Sequence, residues 1–274
     1  ASRTLKAFFT AAILSSCCLF SSPVYAEVDF NFDNPGGNDI KEALSRTEAG
    51  FPAPSPSEQA KPAGAKKWTI MVFVNGKNDL EPFAIKDLNE MEMIGSSGKV
   101  NIVVELGRMG TYDETNGGWS GGRRYLIKKD KDTGNITSPV VKDLGQVDMG
   151  DYKSLADFGT WAKAAYPAEH YMLIVWNHGS GWEKNMRTGF PKGISYDEET
   201  NNHINTPQLG EALRLMGGVD VFGSDACLMQ MAEVDYELKG SVNYIVGSEE
   251  TEPGDGYTYN TFLAPILKKP SMSP

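Results

Sequence analysis

Cysteine is scarce in this chain, with three in 274 residues. Two of them, Cys17 and Cys18, fall in a stretch that reads as an export signal, which leaves Cys227 as the one thiol of the processed chain. A single thiol excludes an internal disulfide. Histidine is equally sparse: His170, His178 and His203. With one Cys and no paired His spacing, the sequence offers no zinc site and predicts no metal ligands. No stretch after the signal reaches the eighteen or so uninterrupted apolar residues that a membrane span needs. Positive charge is in deficit: 26 Lys and Arg face 36 Asp and Glu, a formal net charge of −10. That balance argues against nucleic acid and anionic membranes as partners and is compatible with attraction of cationic substrates. No internal repeat is present.

What is there begins with the export signal. Arg3 and Lys6 precede the apolar run from Ala7 to Leu14, and Val24 and Ala26 supply small residues at the cleavage positions. Residues 1–26 therefore read as a signal peptide cut before Glu27, which makes the protein secreted or periplasmic. Leu14-Ser15-Ser16-Cys17 also resembles a lipoprotein box, so a lipid anchor on Cys17 ranks as the second reading. Loss of the leader removes two positive charges and takes the net charge from −10 to −12. Residues 27–66, with Pro35, Pro52, Pro54, Pro56 and Pro62 among Ala, Ser, Glu and Lys, have too little apolar content to repay ordering and read as a flexible pro-segment or linker. Residues 67–274 suit one α/β domain.

Within that domain, apolar runs at 68–74, 101–106, 171–176, 219–223 and 243–247 read as core strands. Helical spacing marks 81–95, 152–165, 207–216 (with Thr206 as its cap) and 228–238. Strands alternating with helices predict a mostly parallel sheet covered on both faces. Residues 123–128 and 138–144 read as a polar hairpin off that sheet, and 183–205 as an exposed loop.

Ligands bind outside the carboxyl ends of strands in open parallel sheets. His178, Cys227 and the acidic loop 248–256 each follow a core strand, so a base, a nucleophile and several carboxylates converge on one rim. Cys227 at the opening of a predicted helix would gain from that helix's positive end. His178 can take the thiol proton and return it to a leaving amine. Gly179 permits close backbone approach, so its N–H and that of Cys227 form the expected oxyanion hole. His170, before a strand, and His203, in a polar loop, read as surface residues.

Three strings carry a resemblance: Asn177-His178-Gly179-Ser180-Gly181-Trp182, Asp225-Ala226-Cys227-Leu228-Met229, and Gly247-Ser248-Glu249-Glu250 through Pro253-Gly254-Asp255-Gly256. Together they are similar to the clostripain family of cysteine peptidases, over about residues 67–268. The resemblance implies a caspase-like three-layer αβα sandwich and His178 with Cys227 as the catalytic dyad. It also implies cleavage of peptides and proteins after Arg or Lys, with Asp225 and Asp255 at the matching S1 positions. A carboxylate in that pocket rewards a cationic P1 and leaves a neutral one facing a buried acid. Self-processing at a basic residue between the His and Cys strands is a further family habit, and Lys192 before Gly193 is the preferred bond, ahead of Lys184 and Arg187. Calcium enters as a cofactor by resemblance alone; the sequence requires no cofactor and holds no EF-hand loop. Family members usually continue past the point matched by Pro274, which implies a C-terminally incomplete domain. Two other readings stay open: a catalytically silent caspase-like binding scaffold, and a same-fold peptidase with a different P1 preference.

Overall fold

The computed structural model describes residues 64–182 and 192–274. The expected signal, 1–26, and nearly all of the linker, 27–66, lie outside the described residues, as do Lys184 and Arg187.

Seven strands form one sheet in the order β4-β3-β2-β1-β5-β8-β9. Five of them are the apolar runs expected from sequence: β1 (Lys66–Gly76), β2 (Val100–Arg108), β5 (Ala168–Trp176), β8 (Val219–Asp225) and β9 (Val242–Val246). All four contacts among these five are parallel. The pleat sends alternate residues to opposite faces, and both faces are covered. On one face Ile70, Val72, Val74, Val104 and Ile174 meet α1 (Glu81–Ile94) through Ala84, Leu88 and Met91. On the other, Met71, Phe73, Leu173, Val175 and Phe222 meet α2 (Tyr152–Ala165) and α3 (Thr206–Leu215) through Phe158, Ala162, Leu209 and Leu213. The result is the αβα sandwich expected from sequence.

Local chemistry sets the helix ends. Asp151 caps α2 by accepting from Lys153 N–H at 3.0 Å. Asn205, not Thr206, caps α3: it accepts from Gln208 N–H at 2.9 Å while its own N–H donates to Gln208 Oε1 at 3.0 Å, a reciprocal capping box.

Three expectations change. The polar hairpin, β3 (Gly121–Leu126) and β4 (Val140–Gly145), is part of the main sheet, because β3 pairs antiparallel with β2. Every residue of β2 is buried, Glu105 and Arg108 included, so its outer edge needs backbone partners, and β3 supplies them. The helix expected from Leu228 starts later, as α4 (Ala232–Leu238). Leu228 has φ +63 and Met231 is extended, which breaks the helical run although Met229 still packs in the core. The loop 183–205 is, in its described part, a hairpin of β6 (Ile194–Asp197) and β7 (Asn202–Ile204), with all of β6 buried. After β9 the chain closes with two short helices, α5 (Tyr259–Phe262) and α6 (Ala264–Lys268), on the α1 face.

Candidate active site

The site is built at the carboxyl ends of β1, β5 and β8. β5 and β8 are neighbours, and their last paired residues are Trp176 and Asp225. Asn177 N–H extends the ladder by donating to Asp225 O at 3.2 Å. His178 and Cys227 each come two residues after that pair, so both turns leave adjacent strands on the same rim. A Cβ on Gly179 would lie 2.3 Å from Cys227 O and 3.0 Å from Ala226 Cβ. Only glycine lets the two turns press together there.

Cys227 is half-buried and reaches the surface. Its setting differs from the expected helix opening: α4 begins five residues later, so the argument from a helix dipole does not hold. Loop backbone takes the place of the helix. Leu228 N–H donates to Glu250 O and Gln230 N–H to Ser248 O, each at 3.0 Å. Glu252 N–H donates to Cys227 Sγ at 3.3 Å. The acidic loop 248–256 thus lies alongside the cysteine turn and orients its sulfur.

His178 Nε2 sits 2.8 Å from Asp79 Oδ1. Asp79 belongs to the turn after β1, and β1 is the second neighbour of β5, with Val74 opposite Trp176. Asp79-Leu80-Glu81 is similar to the family's start, but that string gives Asp79 no role; the further signal is that it follows a core strand, as His178 and Cys227 do. Buried asparagines hold these turns. Asn177 Nδ2 donates to Asn75 O at 2.6 Å, and Asn177 Oδ1 accepts from Tyr196 N–H at 2.7 Å. Asn75 Nδ2 donates to Ser195 Oγ at 3.1 Å, and Asn78 Nδ2 to Tyr196 O at 2.8 Å. The β6 strand therefore ties the β1 turn to the β5 turn, and Gly179 makes a bridge with Ile194.

Asp225 ends β8 with its side chain buried. It accepts from Tyr257 N–H at 3.2 Å and Tyr259 Oη at 2.9 Å, and it caps no helix. Burial pushes its carboxyl above the usual range, against the pull of those two donors. Two more carboxyls respond to it. Glu252 is pushed up to about 8 by burial and then by the Asp225 charge. Asp87 on α1 is also pushed up to about 8, by burial first and Asp225 second, while Trp176 Nε1–H, donating at 2.7 Å, opposes the shift.

Asp255 stands apart from that cluster. Its side chain is 72% exposed and pairs with Lys86 Nζ at 2.6 Å, so its charge is already matched at the surface. Glu252, three residues earlier in the same loop, is the acid that reaches Asp225. Lys192 is exposed, with Nζ 5.4 Å from the Trp182 ring centre. The bond after it is tethered, since Gly193 N–H donates to Ser180 Oγ at 3.0 Å and Gly193 O accepts from Ser180 N–H at 2.9 Å. His170 and His203 are half-buried ring partners rather than bare surface residues: His170 packs on Trp68, and His203 stacks on Tyr196. Among the described residues, no three His, Cys, Asp or Glu side chains are grouped to hold a metal ion. Nor is any helix among them long and apolar enough to cross a membrane.

An αβα sandwich with a histidine turn and a cysteine turn on neighbouring strand ends defines the caspase-like class of cysteine-peptidase folds. Within that class the chain belongs to the clostripain family, whose model matches residues 72–274. Clostripain from Hathewaya histolytica is 28% identical over 279 residues, which cover 94% of this chain and 51% of that protein. A secreted C11 cysteine protease from Bacteroides thetaiotaomicron, solved with an irreversible peptide inhibitor, superimposes with a TM-score of 0.59 at 29% identity, over 73% of this chain and 54% of that one. An inactive zymogen C11 protease from Parabacteroides distasonis gives a TM-score of 0.57 at 23% identity over 75% and 55% of the two chains, a likeness of fold. The chain spans about half the length of the curated relative it matches.

Proposed function

We propose that this protein is a secreted cysteine endopeptidase that cuts peptide bonds after Arg or Lys. The observation that carries the reading is the pairing of the His178 and Cys227 turns at the carboxyl ends of β5 and β8, packed together at Gly179. In this mechanism His178 takes the proton from Cys227, and the sulfur attacks the scissile carbonyl. The N–H groups of Gly179 and Cys227 receive the developing oxyanion. Collapse of the intermediate breaks the C–N bond, and His178 returns its proton to the departing amine. Water then releases the acyl group by the same route, which restores the thiol.

Asp225 serves as the S1 acid, and Glu252, rather than the surface-paired Asp255, is its companion. A cationic P1 draws Asp225 into its charged form and gains a charge-assisted hydrogen bond of roughly 1.5–3 kcal/mol. The precursor is read as self-processing at a basic residue between the His and Cys strands. Cleavage after Lys192 requires the tethered start of β6 to come away first, and Lys184 and Arg187 remain alternatives.

The test is hydrolysis of paired peptides with Arg or Ala at P1. Cys227→Ala is expected to abolish turnover of both, and full retained activity in that variant would remove the nucleophile assignment. Asp225→Asn is expected to reduce kcat/KM for the Arg peptide roughly ten- to hundredfold and to leave the slow Ala peptide nearly unchanged. Equal losses on both peptides rule out the S1 role.

A further inference from the structure

Along the rim, the turns after β1, β5 and β8 come in spatial order, and they carry Asp79, His178 and Cys227 in that order. The His178 turn therefore lies between the turns that carry Asp79 and Cys227, and its imidazole meets the Asp79 carboxylate. We propose that Asp79 is a positioning residue of the peptidase site: its carboxylate accepts the Nε2 proton of His178 and so reserves Nδ1 for the Cys227 proton. The inference rests on His178 acting as the base.

Three observations support it. First, the contact is long-range, 99 residues apart in sequence, and short in space, 2.8 Å. Second, the turn that carries Asp79 is rigid at its root. Asn75, Lys77 and Asn78 are at most 1% exposed. Lys77 N–H donates to Asn75 Oδ1 and Leu80 N–H to Asn78 Oδ1, each at 3.0 Å, and Lys77 O accepts from Glu198 N–H at 2.9 Å. From this fixed base the Asp79 side chain emerges 61% exposed, next to a His178 side chain that is 31% exposed. Third, an exposed pair of this kind adds little to folding, because water screens it. A structural staple would be a poor use of such a rigid turn; aiming an imidazole is a good one. Neutral imidazole carries one proton on either nitrogen, and the hydrogen bond made by one ring nitrogen decides what the other can do. With Nε2–H committed to Asp79, Nδ1 presents its lone pair and accepts the thiol proton. That proton later leaves from Nδ1 to the amine, while the Nε2 proton stays in its bond to Asp79.

The effect can be read without turnover. The rate at which iodoacetamide alkylates Cys227 is followed by mass spectrometry on the Cys227 peptide at one fixed pH, which sets aside Cys17 and Cys18. His178→Ala is expected to slow this reaction strongly. Asp79→Ala is expected to slow it several-fold, Asp79→Asn less, since its amide oxygen still accepts from Nε2–H, and the melting temperature is expected to hold in both. Adding Asp79→Ala to His178→Ala should produce no further slowing. On the Arg peptide, Asp79→Ala should lower kcat about tenfold with KM unchanged. Wild-type alkylation in Asp79→Ala beside slow alkylation in His178→Ala overturns the positioning role and leaves the dyad standing, as does additive slowing in the double variant. Wild-type alkylation in His178→Ala overturns the dyad itself.

Discussion

Asp87 sits where its charged form is disfavoured. It lies fully buried on α1, with Trp176 Nε1–H on one oxygen and no partner for Oδ1. Burial raises its carboxyl from 3.8 to about 8. Below the lower value both folded and unfolded chains hold this proton; between the two, only the folded chain does. Stability is therefore complete in acid and falls as pH rises through that window, by at most about 1.4 kcal/mol per unit for this group. Asp87→Asn keeps an acceptor for Trp176 and has nothing to ionise. Urea unfolding at pH 5 and pH 7.5 should show a loss of stability in the parent that shrinks by about 1–3 kcal/mol in Asp87→Asn. An unchanged loss would show that Asp87 is ionised in the folded protein. Glu252, raised to about 8 in the same direction, accounts for part of what remains.

At the scale of elements, the site depends on two turns that touch through backbone. A methyl group at Gly179 would meet Cys227 O at 2.3 Å and Met229 Cγ at 2.9 Å. The carbonyl cannot rotate away as a side chain does, so the turns must separate. Gly179→Ala is expected to destabilise the fold by about 1–3 kcal/mol in urea unfolding and to cut peptide hydrolysis far more than that loss accounts for. Wild-type hydrolysis in Gly179→Ala would show that the turns need not touch. The strands that matter most here were legible from sequence for a plain reason: Trp68–Val74 and Met172–Trp176 are buried on both faces, so their runs are apolar but for Thr69. Helix α2 was legible to the residue because Leu155, Phe158 and Ala162 keep its inner face. The β6–β7 hairpin was not, since its strands are four and three residues long and Ser195 sits at φ +62, a conformation no apolar pattern announces. The late start of α4 was hidden for the opposite reason: Leu228, Met229 and Met231 continue a helical pattern through a turn that is not helical. Asp79 was legible only as part of Asp79-Leu80-Glu81, a string similar to the family's start; its partner is fixed by strand order, which no single segment reveals.

At the scale of the whole molecule, the surplus of acid over base matters more than any one pair. A net charge of −10, or −12 once the leader is removed, would draw cationic peptides toward the protein over distances that salt shortens to about 10 Å at 0.1 M. The rate constant kcat/KM for an Arg-P1 peptide should fall several-fold between about 20 and 200 mM salt, with kcat nearly constant, while a neutral peptide shows little change. Equal salt dependence for both peptides would argue against long-range attraction. The pairing of β5 with β8 has one more consequence. The segment that joins these strands can be severed without parting them, because the ladder from Met172–Val221 to Trp176–Asp225 is held by hydrogen bonds that do not run through the break. The hairpin of β6 and β7 would stay with the carboxyl-terminal piece and still bridge back to Gly179 on the amino-terminal one. A nicked molecule is thus a two-chain complex zipped along its central sheet, with the imidazole on one polypeptide and the thiol on the other.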